Sequence, residues 1–147
     1  MNTMTKTNET LFSTAIFLLR LMTGLILFVA GAGKALGWFG GMGMETTVSM
    51  FKSGMNISPS LAYLSTYTEL IGGFLLMIGL LTRPAALALF IKMVVATVVV
   101  GTKNFFAGGG AFPCLLAVTS LCILLTGPMS YSLDALMNRR KQFIVTS

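Results

Sequence analysis

From Leu11 to Leu36 the chain runs almost without charge, interrupted only by Arg20 and by Lys34 near its end. A stretch of that length is long enough, as a helix, to cross a ~30 Å hydrocarbon layer with some tilt. Three further apolar runs follow: from Pro59 to about Leu81, on to about Val100, and from about Phe112 to Leu125. Glycine- or proline-bearing breaks separate them, including Thr82-Arg83-Pro84, Gly108-Gly109-Gly110 and Thr126-Gly127-Pro128. Within lipid a backbone must satisfy its own hydrogen bonds, so apolar runs of this kind become helices. Composition agrees: 55% of the residues are hydrophobic and 10% are charged, against roughly 25% charged in an ordinary soluble domain. Too little polar surface remains to coat a water-soluble globule.

The pattern predicts an all-α integral membrane protein, a bundle of four transmembrane helices. Residues 1–10 read as an N-terminal tail, 11–129 as the transmembrane domain and 130–147 as a polar C-terminal tail on the cytoplasmic side. Between the first two spans, after Gly37-Trp38-Phe39-Gly40-Gly41-Met42-Gly43, the segment from Glu45 to about Gly54 reads as a short amphipathic helix. Val48 and Phe51 lie three apart, with Met44 and Met55 extending that face. Too short to span, it is expected to lie along the outer interface. Ser58 and Pro59 suit the start of the second span. The first run does not resemble a cleaved signal peptide, since it is too long and lacks a small-residue cleavage site.

Basic residues set the expected orientation. Lys6, Arg83, Arg139, Arg140 and Lys141 fall on one side of a four-span chain, and Lys34, Lys52 and Lys103 on the other. Positive charge concentrates on the cytoplasmic side, so both termini are expected there. The net charge of +6 comes from residues scattered singly between apolar runs, apart from Arg139-Arg140-Lys141. That cluster suits anionic lipid headgroups, and no nucleic-acid partner is expected.

The absence of histidine excludes His-ligated metal and a histidine proton shuttle. Cys114 and Cys122 are eight residues apart on one run, roughly 12 Å along a helix, beyond the reach of a disulfide. No metal site, no cofactor motif and no catalytic residue is expected within the chain. Glycines repeat at seven-residue intervals, at Gly24 and Gly31 and again at Gly72 and Gly79, with Gly33 and Gly37 adding a shorter step. Small residues at such spacing let helix backbones approach closely.

Three ionisable residues sit deep in the predicted spans: Arg20, Glu69 and Lys92. Each costs about 2.5–3.5 kcal/mol at a helix centre on insertion scales, so each requires a partner, a cavity or an escape to the interface. Counting ~1.5 Å per residue puts the Glu69 carboxylate at a depth similar to both cations. A charge-paired cluster follows, with three readings open. It ties helices together, or it forms a polar pocket for an anionic or quinone-like headgroup, or Arg20 snorkels away to the cytoplasmic headgroups. Lys34, Trp38, Lys103 and Asn104 are placed at the outer mouth, Trp38 as an interfacial anchor or a ligand-stacking ring.

These residues resemble the DoxX family of small bacterial four-helix membrane proteins, over most of the chain from about Arg20 to Leu136. The resemblance rests on several elements in order: Arg20-Leu21 with Gly24 and Phe28, then Gly31, Gly33-Lys34 and Gly37-Trp38-Phe39-Gly40-Gly41. Glu69-Leu70-Ile71-Gly72-Gly73, Gly79-Leu80-Leu81-Thr82-Arg83 and Gly127-Pro128 with Tyr131-Ser132-Leu133-Asp134-Ala135-Leu136 complete it. It implies a membrane subunit attached to a redox system, of the kind linked to thiosulfate–quinone oxidation or to superoxide- and thiol-handling proteins. The chain departs from the family at three places. A histidine common ahead of the Gly-Lys pair is absent from Ala30-Gly31-Ala32-Gly33-Lys34, another is replaced by Gly101, and an acidic residue is replaced by Ala111. Those are the residues best suited to proton-coupled redox work. The expected role is therefore to dock partner proteins, and a quinone or lipid headgroup, as a homo-oligomer or as a subunit of a larger membrane complex. Two alternatives stand beside it: an oxidoreductase acting on quinone or sulfur compounds, and a small transporter or channel formed by an oligomer.

Overall fold

A computed structural model describes residues 2–101, 105–106, 109–129 and 131–137, with side chains from residue 6 onward. Among the described residues the principal α-helices are, in order, α1 (Asn2–Leu36), α2 (Gly43–Met55), α3 (Pro59–Ile78), α4 (Thr82–Gly101) and α5 (Ala111–Thr126). A 3-10 turn at Trp38–Gly40 links the first two. No strand occurs among the described residues. Three helices, α1, α3 and α4, are long and apolar enough to cross a membrane. Helix α5 is apolar but shorter, ~24 Å at 1.5 Å per residue.

Local chemistry explains most of the boundaries. Ser58 stands at the N-cap of α3, but its carbonyl rather than its hydroxyl engages the first turn, accepting from the Leu61 and Ala62 N–H groups. Pro59 follows where its missing N–H costs nothing. Gly79 closes α3 at φ 71°, a left-handed conformation that glycine adopts without a Cβ penalty. Helix α1 extends through the polar residues ahead of Leu11, so the segment read as an N-terminal tail is helical from Asn2.

Glycines set the register of the helix pairs. A Cβ on Gly24 would meet Met77 N at 2.6 Å and Gly73 O at 2.9 Å, and one on Gly31 would meet the Glu69 carbonyl carbon at 2.9 Å. Antiparallel α1 and α3 are thus in backbone contact over two turns. Gly73, not Gly72, answers the α1 glycines: its missing side chain accommodates Leu27 and Phe28. Gly72 faces α4 instead, where the Leu89 side chain fills its place. Beyond that crossing Leu27, Leu76, Ala86, Leu89, Met93, Leu116, Ala117 and Ile123 form the buried core, joining α1, α3, α4 and α5. Large apolar side chains such as Ile71, Val98, Leu115 and Leu125 face outward, as they would toward lipid.

The last described segment is not a free tail. Residues 131–137 fold back on the helix ends, Ser132 is buried, and the Asp134 N–H donates to Gly79 O at 3.1 Å. Helix α4 has no capping side chain before it, since Leu81 occupies that place. The Asp134 carboxylate supplies the cap from a distance, accepting from Leu81 N and Thr82 N at 2.9 Å each. Burial favours the neutral acid at Asp134, but these two backbone bonds and the Arg20 charge outweigh it and hold its pKa below the usual value.

Candidate functional site: a carboxylate between two lysines

The two helix registers just described converge on Glu69. Gly31 lies against the backbone at Glu69–Leu70, so Lys34, one turn further along α1, comes level with the carboxylate. Gly72 lies against Leu89, and one turn away on each helix Glu69 meets Lys92. Lys34 Nζ donates to Glu69 Oε2 at 2.6 Å, and Lys92 Nζ donates to Glu69 Oε1. The carboxylate side chain is 3% exposed, Lys92 13% and Lys34 37%. One buried carboxylate thus holds one deep and one half-open ammonium, and the three formal charges sum to +1.

The cluster opens into a cavity of about 1100 Å³ bounded by all five helices and the 3-10 turn. Its remaining lining is largely apolar, with Leu27, Phe51, Leu64, Met93, Phe112 and Leu116 among its walls. Trp38, Phe39 and Met42 line it from the loop, and all three are more than half exposed. That loop has an unusual backbone: Phe39 adopts φ 56°, between left-handed Gly37 and Gly40. Thr47 fastens α2 to the end of α1, its hydroxyl engaging Gly43 O at 2.7 Å and Lys34 O at 3.3 Å. An apolar chamber with a few convergent polar groups is the usual form of a small-molecule site.

Arg20 is not part of this cluster, which corrects the grouping with Glu69 and Lys92. Fourteen residues separate Arg20 from Lys34, ~21 Å along the helix. The glycine register brings Arg20 to the C-terminal end of α3, against Gly79, whose absent Cβ makes room for the guanidinium. There Nη1 donates to Pro128 O at 2.8 Å and Nη2 to Tyr131 O. The Phe17 ring lies 5.7 Å beneath the guanidinium, and Tyr131 meets Phe17 edge-on at 6.0 Å. Arg20 is 1% exposed, so it neither snorkels nor shares a carboxylate with the lysines. Depth counting failed because it measured each helix from its own end, whereas contact between helices fixes their offset.

Of the residues placed at the outer mouth, Lys34 belongs to the ion cluster and Trp38 to the rim of the chamber. Lys103 and Asn104 lie outside the described residues. Sequence reading missed Lys34 as a partner of Glu69 and Asp134 as the α4 cap. The signals were present in the Gly31 spacing and in the lack of a capping residue before Thr82. Cys114 and Cys122 are both free, as their separation required. Among the described residues no group of histidine, cysteine or carboxylate side chains is arranged to hold a metal.

Residues 15–102 match the DoxX family model. A protein of Bacillus subtilis (strain 168) bearing the name "Putative oxidoreductase CatD" is 34% identical over 131 residues, covering 89% of this chain and 92% of the relative. No solved structure matches the chain.

Proposed function

The chain belongs to the DoxX family, and we propose that it serves as a redox-linked subunit of the bacterial inner membrane, docking a quinone or lipid headgroup at Lys34 and Lys92. One observation carries this reading: two lysines share a single buried carboxylate at the polar end of an otherwise apolar, open chamber. An ammonium has three N–H donors, and Glu69 takes one from each lysine. The remaining donors suit a carbonyl or anionic oxygen of a headgroup whose tail lies along the apolar wall. Glu69 orients both lysines and offsets one of their charges, which a bare pair of cations in lipid could not sustain.

The accompanying architecture is a four-span bundle in which α5 is the short fourth span and α2 rests in the outer interface. Both termini face the cytoplasm, following the excess of basic residues on that side. With no histidine and no cysteine pair, the chain supplies no electron carrier of its own, so the carrier belongs to a partner protein. The chain acts as a homo-oligomer or as a subunit of a larger complex.

A second reading, an oxidoreductase in its own right, is favoured by the name of the Bacillus relative. Lipid extraction of protein purified in mild detergent tests the first. A quinone or an anionic lipid should co-purify with the wild type and be depleted in Lys92→Met. Steady quinol oxidation by the purified chain alone, abolished by Glu69→Gln, would instead establish the enzyme. Orientation is checked with single cysteines at Ser53 and Ser147 in a background lacking Cys114 and Cys122. An impermeant thiol reagent should label Ser53→Cys in spheroplasts and leave Ser147→Cys silent.

A further inference from the structure

The charge at the polar end of the chamber is one-sided: two lysines face a single carboxylate. Both oxygens of Glu69 are taken, Oε2 by Lys34 and Oε1 by Lys92. Thr47, Ser65 and Thr68 also line the chamber; the Thr47 hydroxyl donates to Gly43 O and the Thr68 hydroxyl to Leu64 O, and the hydroxyl oxygens keep lone pairs that accept. The charged part of the spare hydrogen-bonding capacity belongs to the ammonium N–H groups of Lys34 and Lys92. Glu69 is the one acid lining the chamber among the described residues, and two cations face it. The polar end therefore offers donors and a net single positive charge, in a setting where apolar walls leave that charge weakly screened.

Resting on the reading of this chamber as a headgroup site, we propose that it selects a singly charged oxyanion carried on an apolar tail over neutral headgroups of the same shape. One added negative charge brings the Lys34–Glu69–Lys92 set to neutrality. A neutral headgroup leaves a cation unpaired, and a doubly charged one overshoots. A long-chain carboxylate and the phosphodiester of an anionic phospholipid share the required chemistry. For a quinone system the same rule favours the anionic state of the ring over the neutral quinone.

Trp38 supplies the readout, because it is the sole tryptophan and lines the chamber. The full chain is placed in phosphatidylcholine nanodiscs, and Trp38 fluorescence is titrated with 9,10-dibromostearate or with its methyl ester, which places the same bromines on a neutral headgroup. The acid should quench saturably with an apparent affinity at least about tenfold above the ester, equivalent to ~1.4 kcal/mol. Lys92→Met should bring the ratio close to one by weakening the acid far more than the ester, whereas Lys92→Arg should retain the preference. Lys34→Met, at a half-open position, provides a second reduction of the ratio should Lys92→Met fail to fold. Competition by added phosphatidylglycerol assigns the oxyanion to the bilayer lipid, and indifference to it assigns a free carboxylate. Equal, saturable quenching by acid and ester overturns charge selection while leaving the chamber as a headgroup site. Non-saturable quenching by both, with no displacement by a short-tailed quinone, overturns both readings.

Discussion

The two ends of the helix assembly each bury cations, and they treat them in opposite ways. At the Arg20 end the guanidinium is sealed at 1% exposure, and neutral carbonyls of Pro128 and Tyr131 accept from it while Phe17 covers one face. At the Glu69 end the lysines share a carboxylate and open onto a chamber. Arginine suits the first arrangement, because its planar fork spreads one charge over several fixed donors and is weakly hydrated. Lysine suits the second, because its compact ammonium keeps free donors after one bond is made. A buried cation bonded to backbone carbonyls and closed off from any cavity reads as a clasp between chain segments. A buried cation with donors to spare, facing a cavity, reads as a site.

The sharpest way to break this comparison is to remove the carboxylate. Glu69→Gln strands two cations at once, and loss of one member of a buried ion pair typically costs about 3–5 kcal/mol. Thermal unfolding in detergent should show it as the most destabilising of these substitutions, and Glu69→Leu combined with Lys34→Met and Lys92→Met should recover most of the loss. An unchanged melting temperature would mean that the lysines are hydrated from the chamber. Arg20→Met comes next. It removes two charge-assisted bonds to carbonyls at the end of the assembly, which can turn to water when the segment lifts, so the net loss should be about 1.5–3 kcal/mol. Hydrogen exchange should rise across residues 131–137 in Arg20→Met and stay unchanged there in Glu69→Gln. The double variant Arg20→Met/Glu69→Gln should be additive within ~0.5 kcal/mol, and a larger coupling would dissolve the distinction between the two ends.

Between the lysines, Lys92→Met should cost more than Lys34→Met. Lys92 is the deeper of the two, and a partly exposed ion pair contributes only about 0–1 kcal/mol. Comparable losses would place Lys34 in a drier setting than its 37% exposure indicates. A similarly small effect belongs to Asp134. Asp134→Ala removes the cap of α4 and should cost ~1 kcal/mol at neutral pH. Because folding depresses the Asp134 pKa, the charged cap stabilises above the unfolded value of about 3.9 and is lost as pH falls through the folded value. The stability gap between wild type and Asp134→Ala should accordingly persist at pH 7 and narrow below about pH 4.

The sequence by itself determined that this chain is helical and suited to lipid, because apolar runs with so few charges leave no other way to satisfy the backbone. It also marked Glu69 and Lys92 as costly to bury, and the Gly24–Gly31 repeat as a contact face. It could not say which charge meets which, because a residue's height along its own helix is independent of how far that helix is offset from its neighbours. Gly31 against the Glu69–Leu70 backbone and Gly72 against Leu89 set those offsets. They bring Lys34 to the carboxylate and leave Arg20 about four turns away at the other end. The Asp134 cap is the same case in another form: the need for an acceptor before Thr82 is local, but the residue that meets it lies 52 positions along the chain. Periodicity and hydropathy are properties of neighbours in sequence, whereas ion pairs and distant caps are made by neighbours in space, which only the packing of the helices assigns.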